Sequence, residues 1–144
     1  MIALDTNILV HAHRRDSALH LEAVACVRAL AESPAPWAIC FHSLVEFYGV
    51  ATNAKIWTQA SSAIQAADQI DAWRESPSLR IPTDSHEDLT RLLEMAARAK
   101  VAGPMIHDAR IANCCLVNGI SELWTIDRDF SRFPDLKTKN PLVG

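Results

Sequence analysis

The 144-residue chain lacks several features that would place it in a specialised class of protein. No apolar run reaches the roughly 18 residues that a membrane-spanning helix needs. No basic stretch precedes an apolar stretch at the N-terminus, so we expect no signal peptide and a cytoplasmic location. Cysteine is scarce, and Cys26, Cys40, Cys114 and Cys115 form no C-x-x-C pair. This spacing indicates reduced thiols and excludes a typical disulfide framework or zinc site.

Basic residues are also fewer than acidic residues in this chain. Fourteen Lys and Arg residues face seventeen Asp and Glu residues, which gives a net charge of −3. A nucleic-acid-binding protein is usually basic, so this balance weighs mildly against such a partner unless several acids bind cations. Neither G-x-x-x-x-G-K-S/T nor G-x-G-x-x-G occurs, which excludes nucleotide-binding enzymes of those types. Repeats, low-complexity tracts and linkers are absent too, and the length predicts a single domain over residues 1–144.

Short apolar segments alternate with helical patterns along the chain. We predict strands at residues 2–5, 37–41, 79–81 and 122–126. The segments between them predict helices within 6–17, 17–33, 42–53, 61–75, 84–100 and 103–119. This alternation predicts an α/β fold in which helices cover both faces of a mainly parallel sheet.

Acidic residues lie where such a sheet opens its ligand cleft, beyond the carboxyl ends of the strands. Asp5 ends the first predicted strand, and Asp127 and Asp129 follow the last one. Glu46 and Asp108 are predicted in the first turns of two helices. Carboxylates that converge repel one another, and a hard cation such as Mg²⁺ or Mn²⁺ would relieve that repulsion through oxygen ligands.

Each acid also has an explanation that involves no ligand. Asp5 fits an N-cap, and Glu46 has the spacing of a capping box with Ser43. Asp108 would favour a helix N-terminus through the dipole, and acids such as Asp127 are common in turns. These explanations account for each residue alone and leave the convergence of all of them at one edge unexplained.

Four motifs that contain these acids resemble the PIN-domain family. The motifs are LDTN at 4–7, SLVEF at 43–47, HDA at 107–109 and TIDRDF at 125–130. Their order, their spacing and the chain length are most similar to VapC-type ribonuclease toxins of bacterial toxin–antitoxin pairs. The resemblance implies a three-layer α/β/α PIN-like fold and an endoribonuclease that depends on Mg²⁺ or Mn²⁺. It covers essentially the whole chain, including NPLV at 140–143.

The resemblance also implies roles for individual residues. The family's acidic catalytic quartet is matched by Asp5, Glu46, Asp108 and Asp127. Asp5, Asp108 and Asp127 would hold the metal, and Glu46 would ligate it or orient the attacking water. Supporting positions are matched by Asn7, Thr125 and Asp129. In-line attack by an activated water would leave 5′-phosphate and 3′-hydroxyl ends.

A substrate RNA, with tRNA or rRNA as the expected targets, would need basic side chains near the acids. Arg14, Arg15, Arg128 and Arg132 are the candidates. We expect the six scattered histidines to have structural or surface roles, as isolated histidines usually do. Trp57 and Trp73 are expected to pack in the core or at an interface rather than to stack on bases.

The resemblance implies two protein partners: a VapB-type antitoxin and a second copy of the chain in a homodimer. We expect both contacts on apolar helix faces within 44–57 and 61–73. The alternative is a catalytically silent PIN-like module that binds RNA or protein. A haloacid-dehalogenase-type phosphatase also begins with a strand that ends in Asp, but it needs a second Asp where this chain has Asn7.

Overall fold

The computed structural model describes residues 1–143 and contains one five-stranded sheet, in which every neighbouring pair of strands is parallel. The strands are β1 (Ile2–Leu4), β2 (Trp37–Ala38), β3 (Leu79–Arg80), β4 (Glu122–Trp124) and β5 (Thr138–Lys139). The parallel sheet is as predicted, although its strands are shorter than the apolar segments suggested. The sequence analysis missed β5, whose two exposed residues carry no apolar pattern.

Six α-helices connect and cover these strands in the described part of the chain. They are α1 (Thr6–His13), α2 (His20–Glu32), α3 (Phe41–Ala51), α4 (Ala63–Arg74), α5 (Leu89–Arg98) and α6 (Ile106–Val117). Short 3₁₀ turns at His86–Asp88 and Gly103–Met105 lead into α5 and α6, and a third turn spans Arg128–Arg132. None of the helices within residues 1–143 is long and apolar enough to cross a membrane.

Two hydrophobic clusters separate the helices into two layers. Successive strand residues point to opposite faces, so Leu4 and Trp37 join one cluster while Ala3 and Ala38 join the other. The first cluster packs against α1 to α4, and the second packs against α6 and part of α5. The three-layer α/β/α architecture predicted from the sequence is confirmed.

Helix α6 ends as its sequence predicts. Gly119 follows the helix with φ +69°, a left-handed conformation that glycine adopts without a side-chain penalty. The next amide, of Ile120, donates to the carbonyl of Cys115 at 3.0 Å and closes the helix end. The chain then enters β4 directly.

The sheet order β3-β2-β1-β4-β5 places a topological switch between β1 and β4. Connections from β1 lead to one side of the sheet through β2 and β3, whereas β4 and β5 lie on the other side. In open parallel sheets, ligands bind beyond the carboxyl ends of the strands at this point. Asp5 follows β1 and Thr125 follows β4, so both residues lie at the switch.

Candidate functional site

Asp5 is buried at the carboxyl end of β1, where it caps α1. One carboxylate oxygen accepts the backbone N–H of Thr6 at 2.8 Å, and the other accepts the hydroxyl of Thr125 at 2.7 Å. The N-cap interpretation of Asp5 is therefore correct as far as it goes. It does not exclude a second role, because the same carboxylate also carries unfavourable interactions with other acids.

Asn7 and Thr125 form a network around Asp5. The Asn7 amide donates to Asp5 Oδ2 at 3.3 Å and to Thr125 Oγ1 at 3.1 Å. Thr125 Oγ1 also accepts the backbone N–H of Asp127 at 3.0 Å. These bonds connect the start of α1 to the segment after β4, so Asn7 and Thr125, two of the three supporting residues named from the sequence, fix Asp5 and Asp127 relative to each other.

Three further acids converge beside this network. Asp108 lies in the first turn of α6, as predicted, while Asp127 precedes the 3₁₀ turn that contains Asp129. One carboxylate oxygen from each of the three lies within 4.8 Å of the others. Asp127 also accepts the backbone N–H of Asp129 at 2.8 Å, which fixes this turn.

Glu46 lies in a different turn of α3 from the one predicted from the sequence. We predicted α3 to begin near Ser43, with a Ser43–Glu46 capping box. The helix begins two residues earlier, at Phe41, with Cys40 as its N-cap and no side-chain cap. Glu46 is consequently in the second turn, and the Ser43 hydroxyl is buried with no hydrogen-bond partner in the described residues. The capping-box prediction is wrong.

The pKa values of Asp5 and Asp108 report how closely the acids approach one another. The pKa of Asp5 is raised from 3.8 to about 7, first by burial and then by the charges of Glu46 and Asp108, while the hydrogen bonds from Thr125 and Thr6 act in the opposite direction. The pKa of Asp108 rises to about 6, first through burial and then through Asp127, Glu46 and Asp129. All five acids are thus electrostatically connected.

The donor set fits a hard divalent cation. The convergent ligands are carboxylate oxygens, which Mg²⁺ and Mn²⁺ prefer over sulfur or imidazole. The structure brings Asp129 into the closest trio, whereas the sequence analysis named Asp5 with Asp108 and Asp127. The two oxygens of Asp5 accept hydrogen bonds from Thr6 and Thr125.

The four candidate RNA-binding arginines lie in different surroundings. Arg14 is buried, donates to Asp16 at 3.0 and 2.7 Å, and stacks over the Trp57 ring at 4.3 Å. These contacts fix the end of α1 and lend no support to an RNA contact. Arg15 and Arg128 are exposed, and Arg128 lies between Asp127 and Asp129 in the chain.

Arg132 is the fourth candidate and lines a groove of about 670 Å³ between α5 and the 3₁₀ turn. Arg91 and Arg98 line the same groove, together with the acidic Glu87 and Glu94. The charge of this groove is therefore mixed.

Several histidines and tryptophans that were expected to have structural roles make contacts within the fold. Trp73 is buried against Phe47, as expected. His13 bonds to Ser61 and Gln69, and His20 lies 3.0 Å from the carbonyl of His11.

One group of residues at the edge of the site was not predicted from the sequence. In this group His42 stacks on His107, and Arg110 bonds to both His42 and Asp84. No local motif reveals this pair, because its histidines are 65 positions apart. The sequence feature that could have indicated the pair is that each histidine is the second residue of a helix that begins at the acidic edge of the sheet.

Comparison with known proteins agrees with this geometry. The profile of the PIN domain family matches residues 2–136. Ribonuclease VapC43 of Mycobacterium tuberculosis is 29% identical over 144 residues, which cover 100% of this chain and 97% of the relative. The crystal structure of M. tuberculosis VapC20, described as a sarcin-ricin loop cleaving toxin, superposes with a TM-score of 0.68 at 20% identity, covering 91% of this chain and 93% of that one.

A toxin–antitoxin complex from Klebsiella pneumoniae gives a TM-score of 0.64 at 22% identity and 98% coverage of both chains. The resemblance drawn from the four acidic motifs is confirmed. This chain belongs to the PIN domain family, and it is similar over its whole length to VapC ribonucleases.

Proposed function

We propose that this protein is a VapC-type toxin, an endoribonuclease that depends on Mg²⁺ or Mn²⁺ and is neutralised by a VapB-type antitoxin. The observation that carries the proposal is the convergence of Asp108, Asp127 and Asp129 within 4.8 Å at the topological switch of the sheet. The full-length similarity to VapC ribonucleases supports the choice of RNA as the substrate. Residues 1–144 would form a single PIN domain.

Each carboxylate is assigned a separate role in the proposed reaction. Asp108, Asp127 and Asp129 would hold the cation, and Asp5 would add negative charge from its fixed position beside Thr125. Glu46 would orient the water that attacks the phosphate. When bound, a divalent cation would offset part of this negative charge, bind a phosphate oxygen and activate water for in-line attack. The expected products carry 5′-phosphate and 3′-hydroxyl ends.

Electrostatics explains why the cation and the acids depend on each other. A phosphodiester is an anion, and a bare cluster of carboxylates would repel it. The raised pKa values of Asp5 and Asp108 show that the cluster already resists carrying its full negative charge. A bound divalent cation would offset two of these negative charges and offer the phosphate oxygen a direct ligand, so the same residues could then accept substrate.

Three exposed arginines are the proposed RNA contacts, and two of them closely follow Asp127 of the cluster in the chain. Arg128 and Arg132 lie on the 3₁₀ turn that follows Asp127, and Arg15 lies beyond the end of α1. The target is proposed to be tRNA or rRNA. VapC20, with the same fold, is described as cleaving the sarcin-ricin loop, which supports rRNA as one target to test.

An apolar stripe on α3 is the proposed surface for protein partners. Phe41, Val45 and Tyr48 are 53%, 54% and 39% exposed and follow one another at helical spacing. Ile56 and Ile64 add exposed apolar area within the segments named from the sequence. The Klebsiella complex supports an antitoxin as one occupant, and a second copy of this chain is proposed as another. The free cysteines support the cytoplasmic location expected from the sequence.

Cleavage of total cellular RNA by the purified, antitoxin-free protein tests the proposal. Reactions with Mg²⁺ or Mn²⁺ would run beside reactions with EDTA, and the ends of the products would be mapped. Asp108→Asn is the inactive variant, and Asp68→Asn, an exposed acid on α4, is the matched control. Discrete metal-dependent cuts that disappear only in Asp108→Asn are expected. Equal, EDTA-resistant cutting by all three proteins would refute the nuclease and favour the silent binding module.

A further inference from the structure

A stacked pair of histidines borders the acidic cluster. His42 and His107 have ring centroids 5.3 Å apart and planes inclined by 18°. His42 is one turn before Glu46 on α3, and His107 directly precedes Asp108 on α6. The charge of Glu46 acts on His42 and the charge of His107 acts on Asp108, so the pair lies within electrostatic reach of the cluster.

Arg110 fixes the orientation of His42. Its Nε and Nη2 donate to the two carboxylate oxygens of Asp84 at 2.8 and 3.0 Å, and its Nη1 lies 3.2 Å from His42 Nδ1. A guanidinium group can only donate, so Nδ1 must be the acceptor. The proton of the neutral His42 ring is therefore on Nε2. Arg110 and Asp84 thus hold this imidazole in one orientation and one tautomer.

The Nε2–H of His42 has no acceptor. This nitrogen is buried, and none of residues 1–143 provides a hydrogen-bond partner for it. Buried polar groups are paired in the great majority of cases, and an exception needs an explanation. This open donor lies one turn before Glu46, so it marks the same edge of the sheet as the acidic cluster.

His107 supplies the accessible part of the pair. Its side chain is exposed, although one side of its ring stacks on His42. Arg110 is paired with Asp84, and His42 accepts its hydrogen bond as a neutral ring, so neither of these two residues adds free positive charge to the platform. The open face of the His107 ring is flat and aromatic, which suits stacking by a nucleobase.

We propose that the His42–His107 pair is a stacking platform for one unpaired base of single-stranded RNA, next to the phosphate that is cut. Bases that leave the RNA stack commonly pack on aromatic side chains, histidine among them. This inference rests on the proposed ribonuclease function. It assigns His107 as a residue that positions the substrate. Arg110 orients His42, and His42 in turn stacks on His107. The acidic residues act on the phosphate, and the platform holds the neighbouring base.

Stopped-flow fluorescence with a single-stranded oligoribonucleotide containing 2-aminopurine tests the platform. The wild-type protein would be compared with His107→Ala, His107→Tyr and His86→Ala in the presence of Mg²⁺. His107 is exposed, so its replacement leaves the core intact, and thermal melting would verify the fold of each variant. His86 is the matched control, since it is an exposed histidine that joins no ring pair among the described residues. Rapid quenching reports stacking, and the slower change reports cleavage.

We expect His107→Ala to lose the rapid quench and to raise KM on the order of 5- to 10-fold, the lower range for loss of one base stack, with kcat changed less than 2-fold. His107→Tyr should restore both, and His86→Ala should match the wild type. Wild-type quenching by His107→Ala, or equal failure of the Tyr and Ala variants, would overturn the platform. Quenching without cleavage in the wild type would support the platform and overturn the ribonuclease. Neither signal in the wild type would overturn both.

Discussion

The hydroxyl of Thr125 donates to Asp5 Oδ2 at 2.7 Å across a separation of 120 residues. This bond joins the first strand to the segment after β4, on the two sides of the topological switch. The hydroxyl oxygen of Thr125 also accepts from the side-chain amide of Asn7 and from the backbone N–H of Asp127. One hydroxyl therefore sets the position of two acids that belong to opposite ends of the chain.

We expect Thr125→Val to damage both stability and cleavage. Valine has nearly the same shape, but it leaves the Asp5 carboxylate, the Asn7 amide and the Asp127 N–H without their shared partner. Loss of partners for buried polar groups costs about 1–3 kcal/mol of unfolding free energy. Cleavage should fall about 10- to 100-fold, as is usual when a residue that orients metal ligands is lost. Urea denaturation and initial cleavage rates measure the two effects.

Thr125→Ser is the control for that prediction. Serine keeps the hydroxyl and removes only a methyl group, so both the rate and the stability should remain much closer to the wild type. If Val and Ser variants cleave equally well, the hydroxyl does not position Asp5 for the reaction.

The acidic cluster should make the metal-free protein less stable than its Asp108→Asn variant at pH 8. The pKa of Asp108 is about 6 in the fold and 3.8 as a free group, so folding favours the protonated form. Stability from this group is therefore present below pH 4 and is lost as the pH rises through about 6. The variant should gain about 1–2 kcal/mol at pH 8, a value reduced for the partial exposure of Asp108.

Urea denaturation in EDTA at pH 4 and pH 8 measures this difference. The advantage of Asp108→Asn should be small at pH 4, where both side chains are uncharged, and large at pH 8. Asp68→Asn, on an exposed face of α4, should show no such increase. An advantage that is the same at both pH values would mean that repulsion among the acids is not its cause.

The positions of the acids after predicted strands indicated which residues meet at the sheet edge, whereas a local helix-capping pattern gave the wrong helix start. Asp5 and Asp127 follow strands that are neighbours in the sheet, so the parallel arrangement alone brings them to one edge. The Ser43–Glu46 spacing, by contrast, suggested a helix start that the structure places at Phe41. The capping-box pattern is short and common, and here it falls inside a helix whose N-cap is Cys40.

Other features depend on contacts that no local pattern contains. The His42–His107 stack requires two helices to begin side by side, which follows only from the tertiary packing of α3 and α6. β5 is too short and too exposed to carry a strand pattern, and its hydrogen bonds to β4 define it. The sequence named Asp129 only as a supporting residue, whereas the 3₁₀ turn after Asp127 brings it into the closest group of carboxylates.

The ion pair beneath the histidine platform should give a pH dependence of the opposite sign. Hydrogen bonds from Arg110 lower the pKa of Asp84, so its charged form is favoured in the fold. This stabilisation is present above pH 4 and is lost as the pH falls through the lowered pKa. Asp84→Asn should therefore destabilise the protein at pH 7 and have a smaller effect under strongly acidic conditions. Guanidinium denaturation at pH 7 and pH 3 measures the change.

The variant Asp71→Asn serves as the control for Asp84→Asn. Asp71 pairs with Arg74 on the exposed face of α4, with both side chains more than 60% accessible to solvent. Exposed pairs of this kind contribute about 0–1 kcal/mol, so its loss should change little at either pH. Equal effects of the two substitutions would show that the Asp84–Arg110 pair is no stronger than a surface pair.

Divalent cations should stabilise the protein through the carboxylate cluster. At a concentration 100 times the dissociation constant, a ligand that binds only the folded state adds about 2.7 kcal/mol. For a domain of this size that corresponds to roughly 5–10 °C in Tm. Mn²⁺ should raise the Tm of the wild type by about this amount, and EDTA should reverse the change. Asp108→Asn should lose most of the shift, whereas Asp68→Asn should retain it. A Tm that does not respond to Mg²⁺ or Mn²⁺ at millimolar concentrations would contradict a metal site formed by Asp108, Asp127 and Asp129, because their mutual repulsion is what the cation relieves.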